Sequence, residues 1–269
     1  MTATAAAPIE RSQQAGHWRE YLIEGTLLAT FMLSACLFSI LLFHPAFPAS
    51  RAIPDPFIRR LLMGVAMGAT AIGLNYSTWA KRSGGHYNPI VTLTFFRLGK
   101  VAPRDAAAYV AAQFAGAVLG VLLARTLTGP LLSDAAVNYA VTVPGRAGTA
   151  AALVAEIGIS ALLMTVVLEV SNRPAVASLT GLCAGLMVAT FITLEAPVSG
   201  MSMNPARTVG SAVWAHQWTA LWLYFMAPAV GMLGAAELYL RRRGRQAVFC
   251  AKLHHQNQQR CIFCHYQGR

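Results

Sequence analysis

Two short segments decide the fold of this chain: HYNPI at residues 86–90 and SMNPAR at residues 202–207. Asparagine is a strong N-cap and proline is favoured at the first helical position, so each segment predicts the start of a helix. Because another loop follows each one, we expect helices of only about two to three turns, over residues 88–98 and 204–214. Such half-helices are too short to cross a hydrocarbon core of about 30 Å. Inside a membrane they would direct two positive helix ends to one place, which indicates a pore.

The composition around these segments is typical of a membrane protein. The chain is 56% hydrophobic and only 12% charged. Six apolar stretches have roughly the length of a membrane span: about 21–43, 58–80, 105–126, 150–171, 175–195 and 218–240. We therefore predict an all-α membrane protein with six transmembrane helices and two re-entrant half-helices. The channel domain would cover residues 19–240, between a polar N-terminal tail at 1–18 and a basic tail at 241–269.

The two halves of this domain resemble each other. The first, at about 19–126, and the second, at about 150–240, each begin with a span that carries an early glutamate. Each second span has a Gly-xxx-Gly pair, and the two Asn-Pro motifs are separated by 116 residues. Three spans per half is an odd number, so the second half must be inverted in the membrane. Inverted repeats with broken helices place a transport site near the membrane midplane.

The distribution of basic residues predicts the orientation. With the N-terminus inside, 15 of the 21 Lys and Arg residues lie on the cytoplasmic side. The positive-inside rule then places both termini in the cytoplasm, and we expect the cell (inner) membrane. The net charge of +11 requires no nucleic-acid partner, because the arginines directly after the last span can bind anionic membrane lipid.

The motifs resemble those of the aquaporin (major intrinsic protein) family, of bacterial type, over roughly residues 18–240. The loops at 83–92 and 199–208 are similar to the two signature loops of that family. The resemblance implies a homotetramer with one pore in each subunit. The motif residues are Asn88, Pro89, Ile90, Asn204, Pro205 and Ala206; in the first motif, Ile90 replaces the usual alanine.

The loop residues suggest how such a pore works. If Asn88 and Asn204 cap the half-helices through their side-chain oxygens, their amide NH₂ groups are free to orient a passing water. By resemblance, the helix ends exclude cations and protons. The loops at 83–87 and 196–203 are predicted to be non-helical, with carbonyls that accept hydrogen bonds from water. Glu24 and Glu156 are predicted to hold these loops through backbone donors, and the alternative is a proton relay. His86 is predicted to support the first loop.

The resemblance also implies a selectivity filter made of Gly68, Ile192, Met201 and Arg207. Arg207 would repel cations, and Gly68 would widen the filter unless it serves helix packing instead. A wide, apolar filter favours small neutral solutes such as glycerol, urea, ammonia, hydrogen peroxide or metalloid acids. Thr208 and the pair at 224–225 favour water.

These markers lead us to predict a passive water channel, with a small-solute facilitator as the alternative. A secondary transporter is less favoured, because the spans contain no evident coupling site. An enzyme is least favoured, because the spans contain no nucleophile–base pair.

The basic tail is rich in cysteine and histidine. Its candidate metal ligands are Cys250, His254, His255, Cys261, Cys264 and His265. The CxxCH segment at 261–265 matches the pattern for c-type haem, but haem attachment belongs to the other side of the membrane. A zinc site is the more reasonable interpretation, and a disordered tail with reduced thiols is the alternative. No other cofactor is predicted. The position of the tail beside the membrane motivates a gating hypothesis.

Overall fold

The computed structural model describes residues 16–268; most of the predicted N-terminal tail, residues 1–15, therefore lies outside the described part. Six helices are long and apolar enough to span a membrane, and no β-strand occurs in residues 16–268. The α-helices are α1 (Trp18–Phe43), α2 (Pro48–Ala52), α3 (Pro56–Tyr76), α4 (Thr78–Ser83), α5 (Pro89–Arg97), α6 (Pro103–Thr128), α7 (Gly148–Ser171), α8 (Thr180–Leu194), α9 (Ala196–Ser199), α10 (Pro205–Ala215) and α11 (Leu223–Arg243). The prediction of an all-α membrane fold is confirmed.

The helices pair according to the predicted repeat. In the first half α1 packs along α6, and in the second half α7 packs along α11. The third major pair, α3 with α8, joins the two halves. The inverted repeat therefore produces one bundle with a pseudo-symmetric interface in its middle.

Glycines allow the closest of these helix contacts. A Cβ added to Gly116 on α6 would lie 2.0 Å from the carbonyl oxygen of Gly25 on α1. Close backbone approach of this kind is how helices associate when the surrounding lipid is as apolar as their own side chains.

The two half-helices have the predicted length and position. α5 contains 9 residues and α10 contains 11, about 14 and 16 Å at 1.5 Å per residue. They contact each other inside the bundle, and both pack against α6 and α11.

The loops before the half-helices differ from the prediction in one place. Residues 196–203 were expected to be non-helical, but Ala196–Ser199 form one turn of α-helix, α9. Proline is accepted in the first turn of a helix because its missing N–H has no partner there, so Pro197 does not prevent α9. Gly200, with φ of +82°, then ends the turn.

The described part of the C-terminal tail packs against the helix bundle. Val248, Ala251 and Leu253 are buried, and Val248 and Leu253 join a core cluster with residues of α5 and α7. The guanidinium of Arg260 reaches Glu20 in the first turn of α1 at 2.8 Å. The tail therefore covers the side of the bundle where α1 begins and α11 ends.

Candidate functional site: a central cavity and its two mouths

The Asn-Pro motifs form the expected helix caps. The Oδ1 atom of Asn88 accepts a hydrogen bond from the backbone N–H of Ile90 at 2.9 Å. Oδ1 of Asn204 accepts from Ala206 at 3.1 Å and from Arg207 at 3.2 Å. In both motifs proline occupies the start of the helix, where a backbone donor would have no intrahelical partner. Ile90 replaces alanine without loss of the cap, because only its backbone N–H takes part.

The remaining amide groups of the two asparagines cross between the halves. Nδ2 of Asn88 donates to the carbonyl oxygen of Met203 at 2.8 Å, and Nδ2 of Asn204 donates to that of Tyr87 at 2.9 Å. Each NH₂ group has two hydrogens, so one remains for the cavity that both asparagines line. The expectation that both hydrogens are free is therefore wrong by one hydrogen per asparagine. The crossed bonds fix the direction of the hydrogen that is left.

Glu24 is the anchor of the first loop. The residue is fully buried, and its two carboxylate oxygens accept five hydrogen bonds of 2.6–3.1 Å. The donors are the Ser83 hydroxyl, the backbone N–H groups of Gly85, His86 and Tyr87, and the Gln113 amide. These donors compensate for the hydration that the carboxyl group loses on burial.

Glu156 occupies the same place in the second half. It accepts hydrogen bonds from the Ser199 hydroxyl at 2.8 Å and from the backbone N–H groups of Ser202 and Met203 at 2.6 and 2.8 Å. No aspartate, glutamate or histidine side chain is hydrogen-bonded to Glu24 or Glu156 in residues 16–268, so the contacts favour a structural anchor over a proton relay.

Three loop residues have positive φ values, which residues with a Cβ atom rarely adopt. Tyr87, Met201 and Met203 have φ values of +27°, +52° and +53°. Such left-handed residues each cost on the order of 1 kcal/mol and persist only where the surroundings hold them. Here the glutamate anchors hold them, and the loop residues line the cavity.

A cavity of about 400 Å³ lies between the two halves and reaches both Asn-Pro motifs. One side is polar and consists of the re-entrant loops and the two asparagines. The facing wall is mainly apolar, although Ser39, Arg60 and Asn75 also belong to it. Its apolar members include Phe31, Ala35, Met63, Met67, Ala71, Leu163, Val167, Val188 and Ile192. A molecule in this cavity therefore finds most of its hydrogen-bonding partners on the side of the loops.

Three of the four predicted filter residues line this cavity: Ile192, Met201 and Arg207. Arg207 stands in the first turn of α10, and its buried Nη1 has no hydrogen-bond partner in the described part of the chain. A molecule that passes Arg207 could therefore accept a hydrogen bond from Nη1.

The prediction for Gly68 requires correction. Gly68 faces α8, where an added Cβ would lie 2.7 Å from the carbonyl oxygen of Gly185, and it is not part of the cavity wall. The packing alternative therefore describes its environment. Met63 and Met67, on the neighbouring face of α3, line the cavity instead. Sequence reasoning missed them, although the spacing of four residues from Met63 to Met67 to Ala71 is a signal for one helix face.

His86 connects the first loop to the tail. Its Nδ1 lies 3.0 Å from Oγ1 of Thr92, and its Nε2 lies 2.7 Å from the carbonyl oxygen of Ala251. A carbonyl can only accept, so Nε2 carries a hydrogen. The ring also stacks on Phe263 of the tail, with centroids 5.6 Å apart and planes inclined by 10°.

Four of the six candidate metal ligands come together in the tail. One ligand atom from each of Cys250, His255, Cys261 and Cys264 lies within 4.8 Å of all the others. His254 instead packs edge-on against Tyr76, and His265 is exposed. The hydrogen bond from Cys250 lowers the pKa of the Cys261 thiol.

Comparison with known proteins identifies the family of the chain. Residues 11–239 match the family described as Major intrinsic protein. The chain belongs to this family. Six apolar spans and family membership together identify an integral membrane protein, and membership confirms the prediction that the chain is not an enzyme. The match ends before the cysteine and histidine cluster of the tail.

Individual relatives agree with this assignment. A protein described as "Probable aquaporin NIP-type" from Nicotiana alata is 38% identical over 160 residues, 58% of this chain and 57% of that protein. "Aquaporin NIP1-4" from Oryza sativa subsp. japonica is 35% identical over 178 residues, 66% of this chain and 63% of that protein. The chain thus spans about three fifths of the length of these curated relatives.

A solved structure shares the fold. The aquaglyceroporin from Plasmodium falciparum superposes with a TM-score of 0.69 at 21% identity, over 83% of this chain and 96% of that chain. At this identity the likeness supports the architecture alone.

Proposed function

We propose that the protein is a passive channel that conducts water across a membrane and excludes ions and protons. The observation that carries the proposal is the crossed pair of asparagines, which line one cavity and keep one N–H each for its contents. A water molecule between them would accept both hydrogen bonds and would be held in one orientation. The positive ends of α5 and α10 would repel cations at the same point.

Arg207 would act as a second barrier. A fixed guanidinium in a narrow mouth repels a monovalent cation by about 4 kcal/mol at 4 Å and an effective dielectric constant of 20. Its unpartnered Nη1 would also replace a hydrogen bond that water loses on entry. Water and other uncharged molecules are therefore favoured over ions.

The apolar wall favours a second candidate function, the passage of small neutral solutes. Met67, Ile192 and Met201 offer no hydrogen-bonding partner where a strict water pore would need one, and methionine side chains adapt to different shapes. A polyol such as glycerol could place its carbons on this wall and its hydroxyls on the loop carbonyls.

We further propose a homotetramer in the cell membrane, with both termini in the cytoplasm and no nucleic-acid partner. The family resemblance supports the tetramer, and the positive-inside distribution supports the orientation. Exposed leucines on α6, at positions 119, 123 and 127, would face lipid or a neighbouring subunit.

Stopped-flow light scattering on proteoliposomes tests the function. Because the tail covers one mouth, both the full chain and a chain truncated after Gly244 are measured. We expect fast shrinkage in an impermeant osmolyte, followed by re-swelling in glycerol or urea if the second candidate is correct. Linear dependence of flux on concentration supports a channel, whereas saturation or a requirement for an ion gradient supports a transporter. If neither protein exceeds empty liposomes, the proposed function is wrong.

Variants separate the two candidate functions. Met201→Ala should increase glycerol flux more than water flux, because it enlarges the apolar side of the filter. Met226→Ala is the matched control, since that side chain is 56% exposed on the outer face of α11. Equal changes in both fluxes would argue against a filter role for Met201.

The barrier is tested with Arg207→Ala. A loss of only about 1.4 kcal/mol from the barrier raises cation or proton leak roughly tenfold, measured with a pH dye inside the vesicles. Arg146→Ala, which removes an exposed arginine elsewhere in the loops, should leave the leak unchanged.

A further inference from the structure

We propose that Cys250, His255, Cys261 and Cys264 bind one zinc ion, and that the zinc-bound tail is a plug on the mouth of the cavity. The metal site stands on its own geometry, whereas the plug rests on the proposed channel function. The four ligand atoms lie within 4.8 Å of one another. Nothing in the family match covers this segment, because the match ends at residue 239.

The donor set fits zinc. Three sulfurs and one imidazole nitrogen form a Cys₃His set, which is a common structural zinc site. In a tetrahedron with Zn–S bonds of about 2.3 Å, the sulfurs lie roughly 3.8 Å apart. The observed separations span this value: the Cys250 and Cys261 sulfurs are 3.4 Å apart, Nε2 of His255 is 3.0 Å from the Cys264 sulfur, and no pair of the four ligand atoms is more than 4.8 Å apart.

The ligand spacing is also that of a zinc module. Cys261 and Cys264 form a CxxC pair, and Cys250 and His255 form a second pair with four residues between them. The ammonium of Lys252, buried inside the turn between these pairs, donates to the carbonyl oxygens of Gln259 and Arg260 at 2.9 and 3.2 Å. The two carbonyls compensate for part of the hydration that this buried ammonium loses. Polar contacts of one lysine thus hold the turn between the two ligand pairs, and a metal bound by both pairs would add to the folding energy of the segment.

The same segment is docked on the first re-entrant loop. The backbone N–H of Leu253 donates to the carbonyl oxygen of Gly84 at 3.0 Å, and Nε2 of His86 donates to Ala251 at 2.7 Å. Phe263 of the tail stacks on the His86 ring. Each tail residue that contacts the loop therefore lies only one or two positions from a candidate metal ligand in the sequence.

A buried ion pair lies at the edge of the contact between the tail and the helix bundle. Glu20 in α1 is fully buried and accepts from Arg82 at 3.1 Å and from Arg260 at 2.8 Å. Arg260 directly precedes the ligand Cys261. Loss of the metal would release this arginine and leave a buried carboxylate with one partner fewer.

Leu253 is the part of the tail that enters the cavity. It is 8% exposed, belongs to the same core cluster as Val91 and Val167, and lines the cavity together with His86. An apolar side chain at this position narrows the mouth and offers no hydrogen bond to water. With zinc bound, the tail holds Leu253 there; without zinc, the tail can leave.

The metal is measured first, on the purified full-length protein. We expect one zinc per chain by elemental analysis, and tetrahedral cobalt–thiolate absorption after exchange with Co²⁺. Cys264→Ser and His255→Gln should lose the metal. The matched controls Cys183→Ser, in α8, and His265→Gln, exposed beside the cluster, should keep it. Absence of zinc and cobalt binding, or a protein mass that reveals a disulfide between Cys250 and Cys261, overturns the metal site.

The plug is measured by water flux in proteoliposomes before and after removal of zinc with a chelator. We expect chelation to raise the flux of the full chain to that of the chain truncated after Gly244. Leu253→Ala should raise flux while it keeps its zinc, a result that simple unfolding of the tail would not give. If truncation, chelation and Leu253→Ala all leave a conducting channel unchanged, the plug is wrong although the metal site stands. If the truncated chain does not conduct either, the proposed channel function fails, and the zinc content still decides the metal site.

Discussion

The two re-entrant loops have the same construction but different surroundings. In each, a serine donates to the anchoring glutamate and its own carbonyl oxygen accepts from a tyrosine: Ser83 with Tyr109, and Ser199 with Tyr224. The tyrosine contacts measure 2.6 and 2.5 Å. The two loops are therefore held by equivalent contacts.

The loops differ at two equivalent positions. His86 in the first loop corresponds to Ser202 in the second; each contacts a threonine, Thr92 or Thr208, but only the imidazole reaches the tail. Gln113 on α6, a donor to Glu24, corresponds to Pro228 on α11, which has no side-chain donor. The first loop therefore has more hydrogen bonds to its glutamate, and the tail covers it. The second loop leads into α10, which carries Arg207.

The largest effect should come from removal of the glutamates. Glu24→Ala removes the acceptor of five donors, but the Gly85 N–H keeps the Ser83 hydroxyl oxygen at 3.3 Å, so four donors lose their partner. Glu156→Ala leaves three donors without a partner, and each such buried group costs about 1–3 kcal/mol. Both variants should be severely destabilised in detergent, and Glu24→Ala the more so. Thermal unfolding checks the order, and Glu156→Gln, which keeps one carbonyl oxygen, should be intermediate. Equal losses in the two alanine variants would mean that the difference in donor number has no energetic consequence.

A smaller loss is expected at the α3–α8 interface, where the halves meet. Gly68→Ala places a methyl group 2.7 Å from the Gly185 carbonyl and should cost about 1–3 kcal/mol. Gly73→Ala is the matched control, because a Cβ at that position on the same helix meets nothing within 4 Å. Unfolding in detergent should show a loss for the first variant and none for the second; wild-type stability with altered glycerol flux in Gly68→Ala would restore the filter interpretation.

His86→Ser would make the first loop more like the second. Serine can keep the contact with Thr92 but cannot reach Ala251, so the tail should lose a hydrogen bond of about 1 kcal/mol. We expect tail opening, followed as tryptic cleavage at the buried Lys252, to become roughly fivefold faster. Ser202→Ala, the change at the equivalent position, should leave cleavage of the tail at the wild-type rate.

The smallest effect should come from the feature that the halves share. Tyr109→Phe and Tyr224→Phe each remove one hydrogen bond to a serine carbonyl and should each cost about 0.5–1.5 kcal/mol. Similar values in unfolding experiments would support energetic as well as geometric equivalence. A much larger loss for one of them would show that the symmetry of the contacts is only geometric.

Features that depend on local chemistry were predictable from the sequence. An asparagine followed by proline caps a helix whatever surrounds it, and the repeat allowed the role of Glu24 to be predicted together with that of Glu156. The position of Gly68 was not predictable in this way, because alignment with a family counts residues along a helix but does not give its rotation about the axis. Consecutive residues on a helix point about 100° apart, so the rotation of α3 decides whether Gly68 or Met67 faces the cavity. The tail likewise offered six candidate ligands, and only its folding distinguishes His255 from the adjacent His254.

The crossed asparagine bonds also determine when, during synthesis, the site can form. The acceptor that orients Asn88 is the carbonyl of Met203, and residue 203 leaves the ribosome more than a hundred residues later. A nascent chain that ends before this point has its first loop anchored by Glu24 but its first asparagine unaligned. The polar side of the cavity is therefore completed in one late event, when the second half is inserted beside the first.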